Sequence, residues 1–286
     1  MTATPCPLCP RRCPDRSKGL CGETEFTHAH VAKTMLHRWE EPCISGENGT
    51  GAVFFAGCNL RCLFCQNHAI SQARPLPGEL VDAARLAEIF WFLAGEGAEN
   101  ISLISPSHVL PVAREAMRLA REQGFPLQFI WNSNGYETTQ ALQSLQGLVD
   151  FYLPDLKYES DSIALAYSGI ENYFRYASQA IGEMYRQSQA CGAQLLIRHL
   201  VLPGGRKDSM RVLEWIAEHA PGARVSLMAQ YTPMHRAAEE GGEFPALRRR
   251  LTGFEYDSVA EYARSLGLRG YFQGRDAATA AYTPGF

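Results

Sequence analysis

The sequence has little that would direct it to a membrane or to nucleic acid. Its 286 residues contain no run near the roughly 20 apolar residues of a membrane span, and its opening segment, MTATPCPLCPRRC, lacks the apolar stretch of a signal peptide. Its 27 Lys and Arg residues are outnumbered by 30 Asp and Glu, which leaves a formal net charge of −3 and no broad positive field. Internal repeats and low-complexity linkers are absent. We therefore expect a globular cytoplasmic protein that binds neither membranes nor nucleic acid.

Cysteine, in contrast, is abundant. The chain has nine cysteines, and without an export signal they are expected in a reducing compartment, where clustered thiols hold metals or do chemistry more often than they form disulfides. Seven of the nine fall into two groups. Cys43 and Cys191 stand alone, and we predict that both are packing residues.

Apolar periodicity predicts alternating strands and helices from about residue 50 onward. The predicted strands are 51–57, 100–105, 127–132, 149–153, 193–202, 223–231 and 269–273. The predicted helices are 79–98, 109–124, 138–147, a long stretch through about 190, 208–220 and 255–267. Alternating units imply a parallel sheet and, in this number, an α/β fold built as a partial or full (β/α) barrel, with its chemistry at the carboxyl ends of the strands. Residues 1–25 are predicted to form a short cysteine-rich arm, and residues 26–286 the barrel domain.

The loop after the first predicted strand carries Cys58, Cys62 and Cys65 in a Cys-x3-Cys-x2-Cys pattern. Three thiols, rather than four, suggest a metal centre with one open position, which is typical of a catalytic site. Thiolates hold iron–sulfur clusters, and a four-iron cluster with three protein ligands leaves one iron free. The alternatives are zinc with three cysteines and water, or unliganded core cysteines, which the polar flanks disfavour.

Cys58-x3-Cys62-x-Phe64-Cys65 resembles the cluster motif of the radical S-adenosylmethionine (SAM) superfamily. Three later segments, NSNGY (132–136), DLKY (155–158) and IRHLVLPG (197–204), are similar to motifs of glycyl-radical-enzyme activases such as pyruvate formate-lyase activating enzyme. The resemblance implies a radical SAM type barrel and a 4Fe-4S cluster whose open iron binds SAM. One electron, from a donor such as flavodoxin or ferredoxin, would then cleave SAM to a 5′-deoxyadenosyl radical that abstracts hydrogen from a substrate.

The same resemblance implies roles for the polar residues at the strand ends. Lys157 and Arg198 would pair with the SAM carboxylate, and Asp155 with its cationic side or with a metal ion. Asn134 would hydrogen-bond the ribose or the carboxylate, and Phe64 would pack on the adenine. For Asp155 and Lys157 a solvated strand-end pair is the alternative, and for Arg198 an internal salt bridge.

One segment departs from the activase pattern. Activases usually carry Gly-Gly-Glu after the second strand, where this chain has SLISPSH (102–108). Ser105, together with Ser107, would then meet the SAM amino group. His108 is a candidate for substrate contact or proton transfer, with helix capping or local packing as the alternative.

Further along the chain, Gln230 and Tyr231 lie at the carboxyl end of a later predicted strand. They are candidates to face the substrate. Ordinary barrel packing is the equal alternative for both.

The second cysteine group, Cys6, Cys9, Cys13 and Cys21, lies within sixteen residues of the arm. Four thiols at short spacing form a closed set, which fits either a structural zinc ion or an auxiliary iron–sulfur cluster. The activases with extra clusters carry them in an insert after the three-cysteine motif, and this chain has no such insert.

The function expected from the sequence is radical SAM hydrogen abstraction from a protein glycine, that is, activation of a glycyl radical enzyme. One alternative keeps the chemistry but assigns another peptide, RNA or a small molecule as the target. A second is a non-catalytic iron–sulfur or zinc protein. The retention of all three loop cysteines with the strand-end polar residues disfavours this last alternative.

Overall fold

A computed structural model describes residues 5–274 of the chain. Its centre is one nine-stranded sheet with the order β3-β1-β2-β4-β5-β6-β7-β8-β9. The strands are β1 Ala29–His37, β2 Thr50–Phe55, β3 Glu79–Val81, β4 Ile101–Ile104, β5 Phe129–Ser133, β6 Phe151–Pro154, β7 Gln194–Leu200, β8 Arg224–Met228 and β9 Arg269–Phe272. The helices are α1 Pro42–Ser45, α2 His68–Ser71, α3 Ala83–Gly95, α4 Leu110–Glu122, α5 Thr139–Gln143, α6 Asp161–Ser168, α7 Tyr173–Cys191, α8 Arg206–His219 and α9 Gly253–Ser265.

Seven of these strands, β2 and β4 through β9, run parallel to one another. The residues of β2, β4, β5 and β6 are all buried, which is why they appear in the sequence as continuous apolar runs. Within the described residues the sheet does not close, because β3 and β9 form its two edges. The predicted α/β fold is therefore confirmed in the form of a partial barrel.

The edge formed by β1 and β3 was not predicted. Strand β1 pairs antiparallel with both β2 and β3, and most of its residues are only half-buried. Such a strand has no clean apolar run or alternation, so periodicity gave no signal for it. The three residues of β3 were predicted as the first turn of a helix; instead Asp82 ends the strand and caps α3 by accepting a hydrogen bond from the backbone N–H of Arg85.

The long helical stretch predicted through residue 190 is two helices. Helix α6 ends at Gly169, whose left-handed backbone is the usual C-terminal stop, and α7 begins after Asn172. Among the helices of residues 5–274, none has the length and apolar character needed to cross a bilayer.

The two isolated cysteines were predicted to pack in the core, and this prediction is wrong. Cys43, in α1, and Cys191, at the end of α7, are both exposed. Each lies in a segment without clear apolar periodicity, so the sequence does not distinguish the outer face of its helix from the inner one.

The carboxyl ends of the parallel strands meet at one edge of the sheet. There the loops that follow neighbouring strands pack closely against each other. Gly135 follows β5 with a φ of +77°, and a Cβ built on it would lie 2.5 Å from the carbonyl oxygen of Asp155, which follows β6. The glycine thus allows the two strand-end loops to touch.

We expect Gly135→Ala to destabilise the protein more than Gly147→Ala does. Both glycines have a positive φ, which costs alanine about 1–2 kcal/mol, but a Cβ at Gly147 would meet nothing within 4 Å. The extra loss at Gly135 is expected to be about 1–3 kcal/mol, the usual cost of overpacking. Urea unfolding of the two metal-free variants measures the difference, and equal losses would show that the contact with Asp155 is unimportant.

Candidate functional site

A cavity of about 220 Å³ opens at the carboxyl ends of the parallel strands. It is bounded by the three-cysteine loop on one side and by the ends of β4 through β8 on the other. The residues predicted for the site that line it are Cys58, Cys62, Phe64, Cys65, Ser105, Asn134, Asp155, Lys157, Arg198 and Gln230. The strand-end motifs are therefore brought together around one space.

The three thiols of the loop are each held by a polar neighbour. Cys58 accepts weak hydrogen bonds from the backbone N–H of Leu60 and from the Asn134 side chain, at 3.4 and 3.5 Å from its Sγ. The Sγ of Cys62 lies 3.0 Å from the Ser168 hydroxyl. The hydroxyl of Ser71, in α2, similarly lies 3.3 Å from the Sγ of Cys65.

Burial opposes the ionisation of two of these thiols, Cys58 and Cys65, in the metal-free chain. It raises the pKa of Cys65 to about 12, with the neighbouring thiol of Cys62 adding to the shift. Burial also raises the pKa of Cys58, although Arg61 and Lys157 act in the opposite direction. A bound cation would reverse this balance, because coordination deprotonates a thiol outright.

Opposite the cysteines, four charged side chains form a continuous chain of ion pairs. Lys157 Nζ lies 2.7 Å from Asp155 Oδ2, and Arg198 Nε lies 2.9 Å from Asp155 Oδ1. The Arg198 guanidinium also reaches Glu40, with Nη1 at 3.1 Å from Oε2, and donates to Asn132 Oδ1 at 2.6 Å. All four charged side chains are no more than 20% exposed. The pair at residues 155 and 157 is thus enclosed rather than solvated, and Arg198 does make an internal salt bridge.

Burial and ion pairing have opposite effects on the pKa values of these four side chains. Burial would raise the pKa of Asp155, but Arg198 and Lys157 together hold it below its ordinary value. Burial would likewise lower the pKa of Lys157 and Arg198, yet Asp155 keeps both above their ordinary values. Glu40 is different: burial raises its pKa to about 7, because Arg198 offsets only part of the cost and Glu41 and Asp155 repel its charge.

The side chain of Asn134 is hydrogen-bonded to the cysteine loop. Its Nδ2 donates to Asn59 Oδ1 at 2.7 Å as well as to the Cys58 sulfur, and its Oδ1 accepts from the backbone N–H of Tyr136 at 3.0 Å. Asn59 in turn donates to the Tyr136 carbonyl at 2.9 Å. Both amide hydrogens of Asn134 are therefore used within the protein, which leaves only an acceptor for the predicted contact with SAM.

A smaller pocket of about 110 Å³ adjoins the cavity and shares Phe64, Gln230 and Arg198 with it. We call this the side pocket. Tyr231 contributes to its wall, but its ring packs edge-on against Phe64 and its hydroxyl donates to the Leu247 carbonyl at 2.6 Å. The Tyr231 hydroxyl is consequently turned into the protein and not toward the cavity.

His108 does not line the cavity. It is 2% exposed, and its Nε2–H donates to the Ala56 carbonyl at 2.7 Å. Its main chain follows Ser105, which takes a left-handed backbone with φ 55° and directs the next turn away from the cavity. His108 faces the second cysteine group instead, so the local-packing alternative describes its position. Ile104 and Ser105 are the residues of this segment that line the cavity.

Three buried polar atoms in the walls of the cavity and the side pocket have no hydrogen-bond partner among the described residues: His37 Nδ1, Asn67 Oδ1 and Thr232 Oγ1. Leaving such atoms unpaired is costly, and a polar ligand would satisfy them. Within residues 5–274 no three His, Cys, Asp or Glu side chains converge on a single-ion position. The donor set at the loop is three thiols beside an open space, which suits an iron–sulfur cluster with one free iron.

Sequence reasoning missed the partners that lie outside the motifs. Glu40 comes from the loop after the unpredicted strand β1, so nothing in the sequence places it beside Arg198. The hydroxyl of Tyr173, in α7, donates to the carbonyls of Asn134 and Asp155, both at 2.9 Å, and ties the two strand-end loops together. Asn132, the first residue of the NSNGY segment, could have been found, because it sits at a predicted strand end.

Comparison with known proteins agrees with this arrangement. Residues 44–165 match the sequence model of a 4Fe-4S single cluster domain, a range that contains all three loop cysteines. A protein of Methanocaldococcus jannaschii, itself described as uncharacterized, is 27% identical over 275 residues, which is 92% of this chain and 75% of the relative.

Solved structures share the architecture at low identity. Streptococcus suis SuiB bound to its precursor peptide SuiA has a TM-score of 0.53 and 11% identity, over 76% of this chain and 47% of SuiB. The radical S-adenosylmethionine methyltransferase TsrM of Kitasatospora setae has a TM-score of 0.53 and 15% identity, over 79% of this chain and 55% of TsrM. The chain has the radical SAM fold. It spans about half the length of these two structures, so at this distance the likeness concerns the fold alone.

Within this radical SAM fold, Glu40 is expected to make stability pH-dependent. Its pKa rises from an ordinary 4.5 to about 7, so the folded chain holds a proton that the unfolded chain releases. The contribution of Glu40 to the free energy of unfolding is fully present below pH 4.5 and is lost as the pH rises through 7. At about 1.4 kcal/mol for each tenfold change in proton affinity, the loss is up to about 3 kcal/mol. Urea unfolding at several pH values should show this slope in the wild type.

Glu40→Gln is the matched variant, because glutamine keeps the size of the side chain and one acceptor oxygen for Arg198 or Asn132 but cannot titrate. The difference in unfolding free energy between the wild type and this variant should therefore change between pH 4.5 and 7 and stay constant outside that window. A constant difference over the whole range would contradict the raised pKa.

Proposed function

We propose that the protein is a radical SAM enzyme, with a 4Fe-4S cluster on Cys58, Cys62 and Cys65 and SAM in the adjoining cavity. The observation that carries the proposal is the placement of three thiols, and not four, beside a cavity whose far wall holds two buried cations and two buried carboxylates. Three thiolates leave one iron open, and the charged wall offers complementary groups to a ligand that is both anionic and cationic.

When bound, the cluster supplies the electron that cleaves SAM to a hydrogen-abstracting radical, and the chain's own residues bind and shield the reactants. Lys157 and Arg198 are the groups suited to the SAM carboxylate, and Asp155 to its cationic side. Because both cations are already paired, a carboxylate must compete with Asp155 and Glu40. Phe64, which lines the cavity and packs against Tyr231, offers an apolar surface for the adenine. Ser105 lies in the cavity wall, where the amino group of SAM would need an acceptor.

The side pocket is the natural place for the substrate, since it adjoins the cavity and opens beside the exposed Trp39, which is 60% accessible. Its polar lining includes Gln66, Gln230 and the unpaired hydroxyl of Thr232. Amides and hydroxyls pair well with the uncharged N–H and C=O groups of a peptide chain. We therefore favour a protein substrate, and glycine hydrogen abstraction as its simplest form.

A second candidate keeps the same chemistry but modifies another peptide. Two structures with this fold contain bound peptides: SuiB with SuiA, and anSMEcpe with the Kp18Cys peptide. The anSMEcpe structure has a TM-score of 0.51 and 15% identity, over 80% of this chain and 62% of anSMEcpe. The departure of the SLISPSH segment from the activase pattern is the sequence observation that supports this second candidate.

The first prediction from this proposal concerns SAM cleavage. The anoxically reconstituted wild type, reduced chemically or by flavodoxin or ferredoxin, should convert SAM to 5′-deoxyadenosine. Cys58→Ala should abolish the product, because it removes a cluster ligand. Cys43→Ala is the control, since this exposed cysteine lies outside both groups. Liquid chromatography of the product measures the outcome, and a wild type that holds the cluster but shows no SAM-induced change in the cluster's spectrum would refute SAM binding.

The second prediction concerns the substrate. Reduced enzyme, SAM and a glycyl radical enzyme encoded in the same genome should give a glycyl signal in electron paramagnetic resonance. Silence with every candidate, together with intact 5′-deoxyadenosine formation, would exclude glycine activation and leave peptide modification. Mass spectrometry of peptides from treated cell extract would then identify the target.

A further inference from the structure

The second cysteine group is not used by the proposed function. Its four members, Cys6, Cys9, Cys13 and Cys21, all line one small cavity in the arm, separate from the SAM cavity, and none of them forms a disulfide. The cavity is also lined by Asn59 of the cluster loop and by His108. Four free thiols gathered in one enclosed space require a reason, because free cysteines that only pack have no need to cluster.

Arg16 supplies an independent observation at the same place. This residue is only 8% exposed and lines the same cavity. Its guanidinium donates to the carbonyls of Glu25 and His108, both at 2.8 Å, and to the sulfur of Cys6 at 3.5 Å. Within residues 5–274 no carboxylate forms an ion pair with it. A buried cation without a counter-ion is costly, so negative charge is missing from this site.

We propose that these four cysteines, as thiolates, bind a second metal centre, either one zinc ion or an iron–sulfur cluster, and that Arg16 is its charge partner. The two centres share the same ligand chemistry, a closed set of four thiolates. Each thiol releases its proton to solvent on binding, and four thiolates around a doubly positive centre leave a net negative charge beside the guanidinium. In the metal-free chain no three of the thiols converge on a single-ion position, so zinc would draw them together.

The arm carrying this centre is packed directly on the cluster loop. Arg11 Nε donates to the Asn59 carbonyl at 2.5 Å, and Arg61 of the loop donates back to the Leu20 carbonyl. A Cβ at Gly57, the residue before Cys58, would collide with the carbonyl oxygen of Cys21. A metal that fixes the arm would therefore also position the loop, and the second centre acts as a positioning element for the first.

The test uses the full chain with Cys58, Cys62 and Cys65 all changed to serine, which removes the proposed SAM cluster and makes the result independent of SAM chemistry. Zinc, iron and sulfide are measured per chain, as purified and after anoxic reconstitution with iron and sulfide. We expect about one zinc, or about four irons with sulfide, to remain. Further Cys9→Ser and Cys21→Ser changes should remove it, while Cys43→Ser with Cys191→Ser should not. A folded triple variant, checked by circular dichroism, that holds neither metal overturns the proposal.

Arg16 gives a second readout that does not require removing a ligand. The zinc-loaded chain is titrated with a competing chelator. Arg16→Met should weaken zinc binding by about 10- to 100-fold, the usual effect of losing an outer partner of a metal site, and Arg16→Lys should retain most of the affinity. If Arg16 only packs the arm, both variants will lower the melting temperature of the metal-free chain and leave zinc affinity unchanged, which would refute its role as charge partner.

Discussion

Four charged side chains, Glu40, Arg198, Asp155 and Lys157, meet in a cavity wall with little access to water, and the rest of the site depends on their mutual pairing. A buried charge is tolerated only when it is paired and hydrogen-bonded, so the loop after β1 and the ends of β6 and β7 must lie where the charges can reach one another. The pairing also sets the conditions for any ligand. A carboxylate that approaches Arg198 competes with Glu40, and protonation of Glu40, whose pKa lies near 7, would relieve that competition. Arg198 and Lys157 are thus held in position before a ligand binds, but a ligand carboxylate must displace their carboxylate partners.

Much of this site could be predicted from the sequence, because parallel strands carry their polar residues to a common edge. Once the apolar runs ending near Cys58, Asn134 and Asp155 are recognised as buried strands, the fold itself brings these residues together, whatever lies between them in the chain. Arg198 could be placed by the same argument, since a cation inside an apolar strand must face a polar space. The fold was predicted correctly where the strands are buried on both faces, because there the sequence pattern and the physical environment have a single interpretation.

The errors have the opposite cause. Strand β1 is half-buried and lies at an antiparallel edge, so its residues carry no clear period, and Glu40 could not be placed without it. His108 was expected to face the cavity because it follows a strand closely, but the left-handed backbone at Ser105 turns the chain before the histidine is reached. Such a conformation is uncommon for serine, and composition gives no sign of it. Cys43 and Cys191 were misplaced because an isolated cysteine is compatible with either the buried or the exposed face of its helix.

The arm and the cluster loop cannot be considered separately, because they share backbone contacts on which both depend. Arg61 donates to the Leu20 carbonyl in the arm and to the Cys58 carbonyl in the loop, so one guanidinium links the two cysteine groups. Gly57 lacks the side chain that would push the arm away. An arm that was merely a flexible extension would not need these contacts, and a loop that was stable alone would not need an arginine and a glycine in contact with the arm. The close fit therefore favours an arm that has its own source of order, and four thiols beside a buried cation that forms no ion pair within residues 5–274 are the feature of the arm that could supply it.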